Sequence, residues 1–180
     1  MRIQKDHSIG LIIDIQERLF PLIREHEKIA RNTAILIDGL KALKVPIIRT
    51  EQYVKGLGPT IAELDQRLTE YRNIEKQSFS CCDEPRYMES LALSSREYVI
   101  IAGIESHVCV LQTVIDLLRN GYHPVVVEDC VSSRKENDKR IAIERMRKEG
   151  AIITTYESIL FELCRHSGTE EFKAISRLVK

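Results

Sequence analysis

Two rhythms of apolar positions alternate along this chain. Six short runs rich in β-branched residues, "SIGLIIDI" (8–15), "VPIIRT" (45–50), "YRNIEKQ" (71–77), "YVIIAGI" (98–104), "HPVVVED" (123–129) and "AIITT" (151–155), predict six strands. Several are apolar throughout instead of alternating, as strands covered on both faces of a parallel sheet are. Between them apolar residues recur at three and four. That spacing predicts helices near 28–43, 60–68, 84–93, 108–119 and 137–149, another near 157–163 and a last from about 170. Asn120-Gly121 and Gly150 read as helix stops. Strand and helix repeated in this way imply right-handed crossovers. The predicted fold is α/β, a three-layer αβα sandwich around a six-stranded, parallel, doubly wound sheet. No linker or internal repeat interrupts the pattern, so residues 1–180 read as one domain.

Composition narrows the function classes. With 180 residues and 43% hydrophobic content the chain can bury a full core. Lysine plus arginine (27) balance aspartate plus glutamate (27), and neither sign forms a block. A nucleic-acid groove and a membrane-binding face are therefore not expected. The start "MRIQKDHSIGLIIDI" lacks a basic-then-apolar leader, and no apolar stretch approaches the ~20 residues that span a bilayer. These features predict a soluble, cytoplasmic protein. Five cysteines at irregular spacing, with only Cys81 and Cys82 adjacent, indicate neither a disulfide framework nor a zinc site, and the thiols are expected to be reduced. His7, His26, His123 and His166 show no metal-ligand spacing. The stretch "GLGPT" lacks the later glycine or lysine of nucleotide-binding loops. No metal and no cofactor is expected.

In an open parallel sheet ligands bind beyond the carboxyl ends of the strands, so reactive side chains there are the candidates. Asp14 closes the first predicted strand, Lys76 closes the third, and Cys109 lies just beyond the fourth. Each alone has an ordinary reading: a helix cap in front of "QERLF" for Asp14, a surface lysine, a small buried hydrophobe. Together they form what covalent C–N hydrolysis requires. Cys109 supplies a nucleophile whose place at a predicted helix start favours the thiolate. Lys76 supplies a cation, and Asp14 a base that later serves as acid. His107 lies two residues from Cys109, where helical neighbours do not face each other, so a dyad of that pair is not expected. The longest irregular connection, "EQYVKGLGPT" (51–60), is a loop of the kind that borders sites.

The combination of "IIDIQ" (12–16), "EKQSFS" (75–80) and "AGIESHVCV" (102–110) resembles the isochorismatase-like cysteine hydrolases, which include nicotinamidases, carbamoylsarcosine amidohydrolase and ureidoacrylate amidohydrolases. The likeness runs through nearly the whole chain, including "VVVEDCVSSR". It implies Cys109 as nucleophile, Asp14 as general acid/base and Lys76 as supporting cation. It also implies a non-proline cis peptide from Ile104 to Glu105 and an oxyanion site made by the backbone N–H groups of Glu105 and Cys109. The cysteine argues against the vinyl-ether hydrolysis of true isochorismatases. Where nicotinamidases carry an Asp-x-His metal motif this chain reads "EQY" (51–53), so metal-assisted binding is not expected. The chain is similar instead to a metal-independent branch with a "TEQY…KGLGPT" loop.

Leu19, Tyr53 and Phe79 follow the strand ends and are candidates to line a pocket, with apolar core as the alternative for Leu19 and Phe79. The expected activity is hydrolysis of a small-molecule amide or ureido bond through a thioester. The resemblance also implies a homo-oligomer, a dimer, tetramer or larger ring. Two other readings stay open: a binding or scaffold protein that retains the hydrolase fold, and a redox-sensing thiol pairing Cys109 with Cys81, Cys82 or Cys130.

Overall fold

The computed structural model describes residues 2–180. All six runs form strands of one parallel sheet: β1 (Ser8–Ile13), β2 (Ile47–Gln52), β3 (Arg72–Lys76), β4 (Tyr98–Ile104), β5 (His123–Ser132) and β6 (Ile152–Thr154), in the order β3-β2-β1-β4-β5-β6. The winding direction reverses between β1 and β4, which pair from Ser8 with Tyr98 to Ile13 with Gly103. That reversal opens a crevice at the carboxyl ends of the two central strands.

The apolar runs are explained by burial on both faces. Along β4, Tyr98, Ile100, Ala102 and Ile104 enter one core layer, while Val99 and Ile101 enter the other. The first layer is closed by α1 (His26–Ala42), the short α3 (Ala62–Asp65), α7 (Tyr156–Cys164) and α8 (Glu170–Leu178). The second is closed by α4 (Pro85–Ser94), α5 (Leu111–Arg119) and α6 (Glu136–Glu149). Local chemistry sets the helix ends. Thr155 and Thr169 cap α7 and α8 by accepting N–H bonds from Ser158 and Phe172, Glu84 caps α4 ahead of Pro85, and Gly150 ends α6 at φ 111°.

Four expectations need correction, and each concerns the carboxyl-end loops. The helix expected over 60–68 is only the single turn of α3, because the segment returns to the sheet through Tyr71 after one turn. The loop 51–60 instead contains the last residues of β2 and one helical turn, α2 (Val54–Leu57). The helix expected from 108 begins at Leu111, behind a π-helical turn over Ser106–Val110 that holds Cys109. No helix starts in "QERLF" for Asp14 to cap; a single 3-10 turn follows at Phe20–Leu22. Among the described residues no helix is long and apolar enough to cross a membrane.

Candidate active site

Asp14 leaves the end of β1 in the left-handed region (φ 52°), which aspartate tolerates better than most side chains and which turns its carboxylate out of the strand line. The carboxylate is fully committed on one side. Thr50 donates its hydroxyl to Oδ1 at 2.7 Å, and Lys76 donates from Nζ to Oδ2 at 2.6 Å. Lys76 is only 2% exposed. Its other two protons go to the carbonyls of Ser78 (3.0 Å) and Phe79 (3.1 Å), so all three ammonium donors are used. Burial alone would push this ammonium down in pKa. The Asp14 carboxylate, through its charge and its hydrogen bond, outweighs burial, and the Lys76 value is raised.

Cys109 stands in the π turn beyond β4, 5% exposed, and donates its S–H to Gln52 Oε1 at 3.0 Å. Asp14 is also within its hydrogen-bonding range. Sequence position suggests a thiolate, and the structure reverses this. Burial and then the Asp14 carboxylate push the thiol well above its ordinary value, with the Lys76 cation opposing only in part. The resting Cys109 is a neutral thiol beside the Asp14–Lys76 ion pair, so it would need a base in order to attack as a nucleophile. Alkylation of Cys109 by iodoacetamide, read by peptide mass spectrometry, is therefore expected to keep accelerating above pH 9, the ordinary thiol value. Lys76→Met is expected to slow it further at every pH, because the one opposing cation is gone. A labelling midpoint below pH 9 would overturn this assignment of charge.

Around this cluster the polar ends of the strands are braced. Gln16, completely buried, donates from Nε2 to the carbonyls of Gln52 (3.0 Å) and Gly58 (2.6 Å) and accepts the Gln52 N–H at 2.7 Å. Glu51 accepts from the N–H and hydroxyl of Thr60, each at 2.7 Å, and from Asn73 at 2.9 Å. Burial raises its pKa, but those hydrogen bonds and nearby Arg49 outweigh burial and the value is lowered. Both Glu51 oxygens are thus occupied in holding the loop. Cys81 is completely buried and its thiol is pushed up to about 11, chiefly by burial and then by Asp14. Since Thr50 gives its only proton to Asp14, Cys81 is the donor in its 3.8 Å contact with the Thr50 hydroxyl. All five cysteines are free.

The structure brings Asp14, Lys76 and Cys109 together from the ends of β1, β3 and β4. The Ile104–Glu105 peptide is cis. The Glu105 carboxylate turns away to Arg134, accepting its N–H at 3.1 Å and Nε at 3.0 Å. His107 is engaged elsewhere, with Nδ1 2.9 Å from the Ser133 hydroxyl. Tyr53 (51% exposed) and Phe79 (53%) stand at the rim, whereas Leu19 packs against the first core layer. Thr50, Gln52 and Gln16 are site residues that the sequence reading missed. Their one signal is that polar side chains end strands that are otherwise apolar.

The Isochorismatase domain model matches residues 8–158. Isochorismatase family protein 1B of Dictyostelium discoideum is 39% identical over 184 residues, covering 99% of this chain and 89% of its own. Among solved structures, MAR1 ribonuclease from Caenorhabditis elegans superposes with a TM-score of 0.94 at 38% identity, covering 99% of this chain and 92% of that one. The YcaC gene product of Escherichia coli, described as an octameric hydrolase of unknown specificity, does so at 0.94 with 25% identity, covering 99% and 89%. Sequence, sheet order and overall shape agree, and this chain belongs to the isochorismatase family, whose members share this hydrolase fold.

Proposed function

We propose that this protein is a cysteine-dependent hydrolase of a small-molecule C–N bond, amide or ureido, that works through a thioester without a metal or other cofactor. The observation that carries the reading is the buried, hydrogen-bonded Asp14–Lys76 pair beside the neutral thiol of Cys109. Lys76 holds the carboxylate in place, and lone pairs of Asp14 not used by Thr50 or Lys76 take the Cys109 proton once the S–H swings away from Gln52 Oε1. As Cys109 Sγ bonds to the substrate carbonyl carbon, its proton passes to Asp14 and the carbonyl oxygen becomes an oxyanion. Backbone N–H groups of Glu105 and Cys109 receive that oxyanion. Collapse breaks the C–N bond, and the leaving nitrogen takes the proton back from Asp14. Water then attacks the thioester and gives one proton to Asp14, the C–S bond breaks, and the returned proton restores the thiol. Tyr53 and Phe79 border the entrance, with Leu19 behind them.

The zero formal net charge, with no basic block, supports a small neutral substrate over a polyanion. Glu51, at the place where the resemblance puts a metal motif, has both oxygens taken by Thr60 and Asn73, which supports the metal-independent branch. The octameric neighbour supports a homo-oligomer. The test is a panel of small amides, ureas and nicotinamide analogues, read by product release and by the mass of trapped enzyme. The expected result is an acyl adduct on Cys109 and turnover abolished in Cys109→Ala with its circular dichroism unchanged. Wild-type turnover in Cys109→Ala would overturn the mechanism. Substrate binding without turnover in the wild type would favour a binding or scaffold protein.

A further inference from the structure

Gln52 is in direct contact with the nucleophile and has no role in the scheme above. Its side-chain orientation is set on both ends: Oε1 lies 3.0 Å from Cys109 Sγ, while Nε2 donates to the Gln77 carbonyl at 3.4 Å. Its backbone is gripped by Gln16, and it pairs with Lys76 across β2 and β3. The side chain is partly exposed and faces the crevice mouth instead of the core. The amide oxygen is therefore a fixed hydrogen-bond acceptor at the place where a substrate must approach the sulfur.

An acceptor in this position loses its partner during the reaction. In the resting protein Oε1 accepts the S–H of Cys109. When that proton moves to Asp14, the oxygen faces a sulfur that has no hydrogen to offer. Once a substrate fills the crevice mouth and excludes water, an acceptor left without a donor is costly. The nearest group able to replace the donor is on the substrate itself. A carbonyl carbon poised for attack sits about 3–3.5 Å from the sulfur, and its nitrogen is one bond of about 1.33 Å beyond it. An N–H on that nitrogen falls within reach of Oε1, and an ester oxygen in the same place would present a lone pair to a lone pair.

We propose that Gln52 is a specificity-determining residue: its side-chain carbonyl accepts the N–H of the scissile nitrogen and selects substrates that carry one, primary or secondary amides and ureido compounds, over esters and tertiary amides. This rests on the reading of Cys109 as the attacking thiol. Sites built to hydrogen-bond a substrate N–H reject analogues that lack it far more strongly than apolar pockets reject a missing methylene.

The test uses two reagents that differ only in NH against O, N-methyliodoacetamide and methyl iodoacetate. Sulfur displaces iodide at their methylene, which sets the NH or O two bonds from the attacked carbon instead of one, still beside the crevice-facing Gln52 amide. Their rates of labelling at Cys109 are compared by peptide mass spectrometry at about pH 9, and each is divided by its rate with glutathione. The wild type is expected to prefer the N–H reagent by about threefold to tenfold beyond glutathione, the size of one neutral hydrogen bond. Gln52→Leu is expected to bring the ratio to that of glutathione. Gln52→Glu retains an acceptor at the same place, so it should label more slowly with both reagents while the preference survives. A wild-type ratio equal to that of glutathione, or an undiminished preference in Gln52→Leu, would overturn the assignment of Gln52 and leave the thiol mechanism standing. Failure of Cys109 to react with either reagent at any pH at which the protein stays folded would overturn the thiol mechanism and this inference together.

Discussion

Asp14→Asn is expected to lower the unfolding free energy by about 3 kcal/mol and to abolish turnover, the first of which requires no knowledge of the substrate. Asparagine fits the left-handed backbone at this position, so the change isolates the loss of charge. What remains is an ammonium group that is 2% exposed, held by the carbonyls of Ser78 and Phe79 and a neutral amide, with its counter-charge gone. Removing one member of a buried pair costs more than the pair itself contributes, because the other charge stays desolvated. The sign with pH follows from the same balance. In the wild type the Lys76 value is raised, so its contribution is complete below its unfolded value of 10.5 and is lost as pH rises through the folded value. In Asp14→Asn burial acts with its main opponent removed. The folded chain then holds the proton less tightly than the unfolded chain, and stability increases as pH rises. The deficit should therefore narrow as pH rises toward 10.5, the unfolded value. The double variant Asp14→Asn with Lys76→Met should recover most of the loss and remain inactive, since it leaves no buried charge. Urea unfolding with an unchanged slope would measure all three proteins. Wild-type stability in Asp14→Asn would show that the two groups are not energetically coupled.

Gly103→Ala is the second large effect. Gly103 sits in the middle of the sheet opposite Ile13, at φ 150°. A β-carbon there would lie 2.4 Å from the Ile13 carbonyl oxygen, 2.6 Å from its Cβ and 2.9 Å from its Cα. Two of these three atoms are backbone of the neighbouring strand, so no side-chain rotation relieves the contact. The central strands must separate, at a cost of about 3 kcal/mol or more once the strained backbone conformation is added. The residue after Ile13 is Asp14, and Cys109 follows β4 by one short turn. Separation of these strands therefore moves Asp14 away from Cys109, and under the proposed mechanism a displacement near 1 Å is worth about a hundredfold in rate. Thermal unfolding and Cys109 labelling would both report the change. An alanine variant within about 0.5 kcal/mol of the wild type, the range of innocuous surface changes, would show that the sheet opens at this point without strain.

The two predictions concern residues of different legibility. Asp14, Lys76 and Cys109 can be found from the sequence because each lies at or just beyond the end of a predicted strand, and a parallel sheet gathers those ends in one crevice. Gly103 reads only as a glycine in an apolar run. Its closeness to Ile13 depends on the register between β1 and β4, which no local pattern encodes. Thr50, Gln52 and Gln16 escape for a similar reason. Their neighbours in sequence do not explain them, and their side-chain hydrogen-bond partners lie 25 to 57 positions away. The helix over 60–68 is an error of the same kind: apolar spacing there is satisfied by one turn that packs Leu64 and the following Leu68 onto α1 and the core.

What the chain by itself determined was its architecture and the three chemical groups. Strand periodicity, helix stops and right-handed crossovers are local or nearly local rules, and they lead to a doubly wound parallel sheet whose strand ends gather in one crevice, while the strand order itself appears only in the structure. What only the tertiary structure decided was the state of those groups. A thiol at the start of a predicted helix suggests a thiolate, but folding placed Cys109 in a buried π turn next to a carboxylate whose counter-ion is already fully hydrogen-bonded to other partners. Ionisation depends on desolvation and on charges only a few ångströms away, and those distances exist only once β1, β2, β3 and β4 lie side by side.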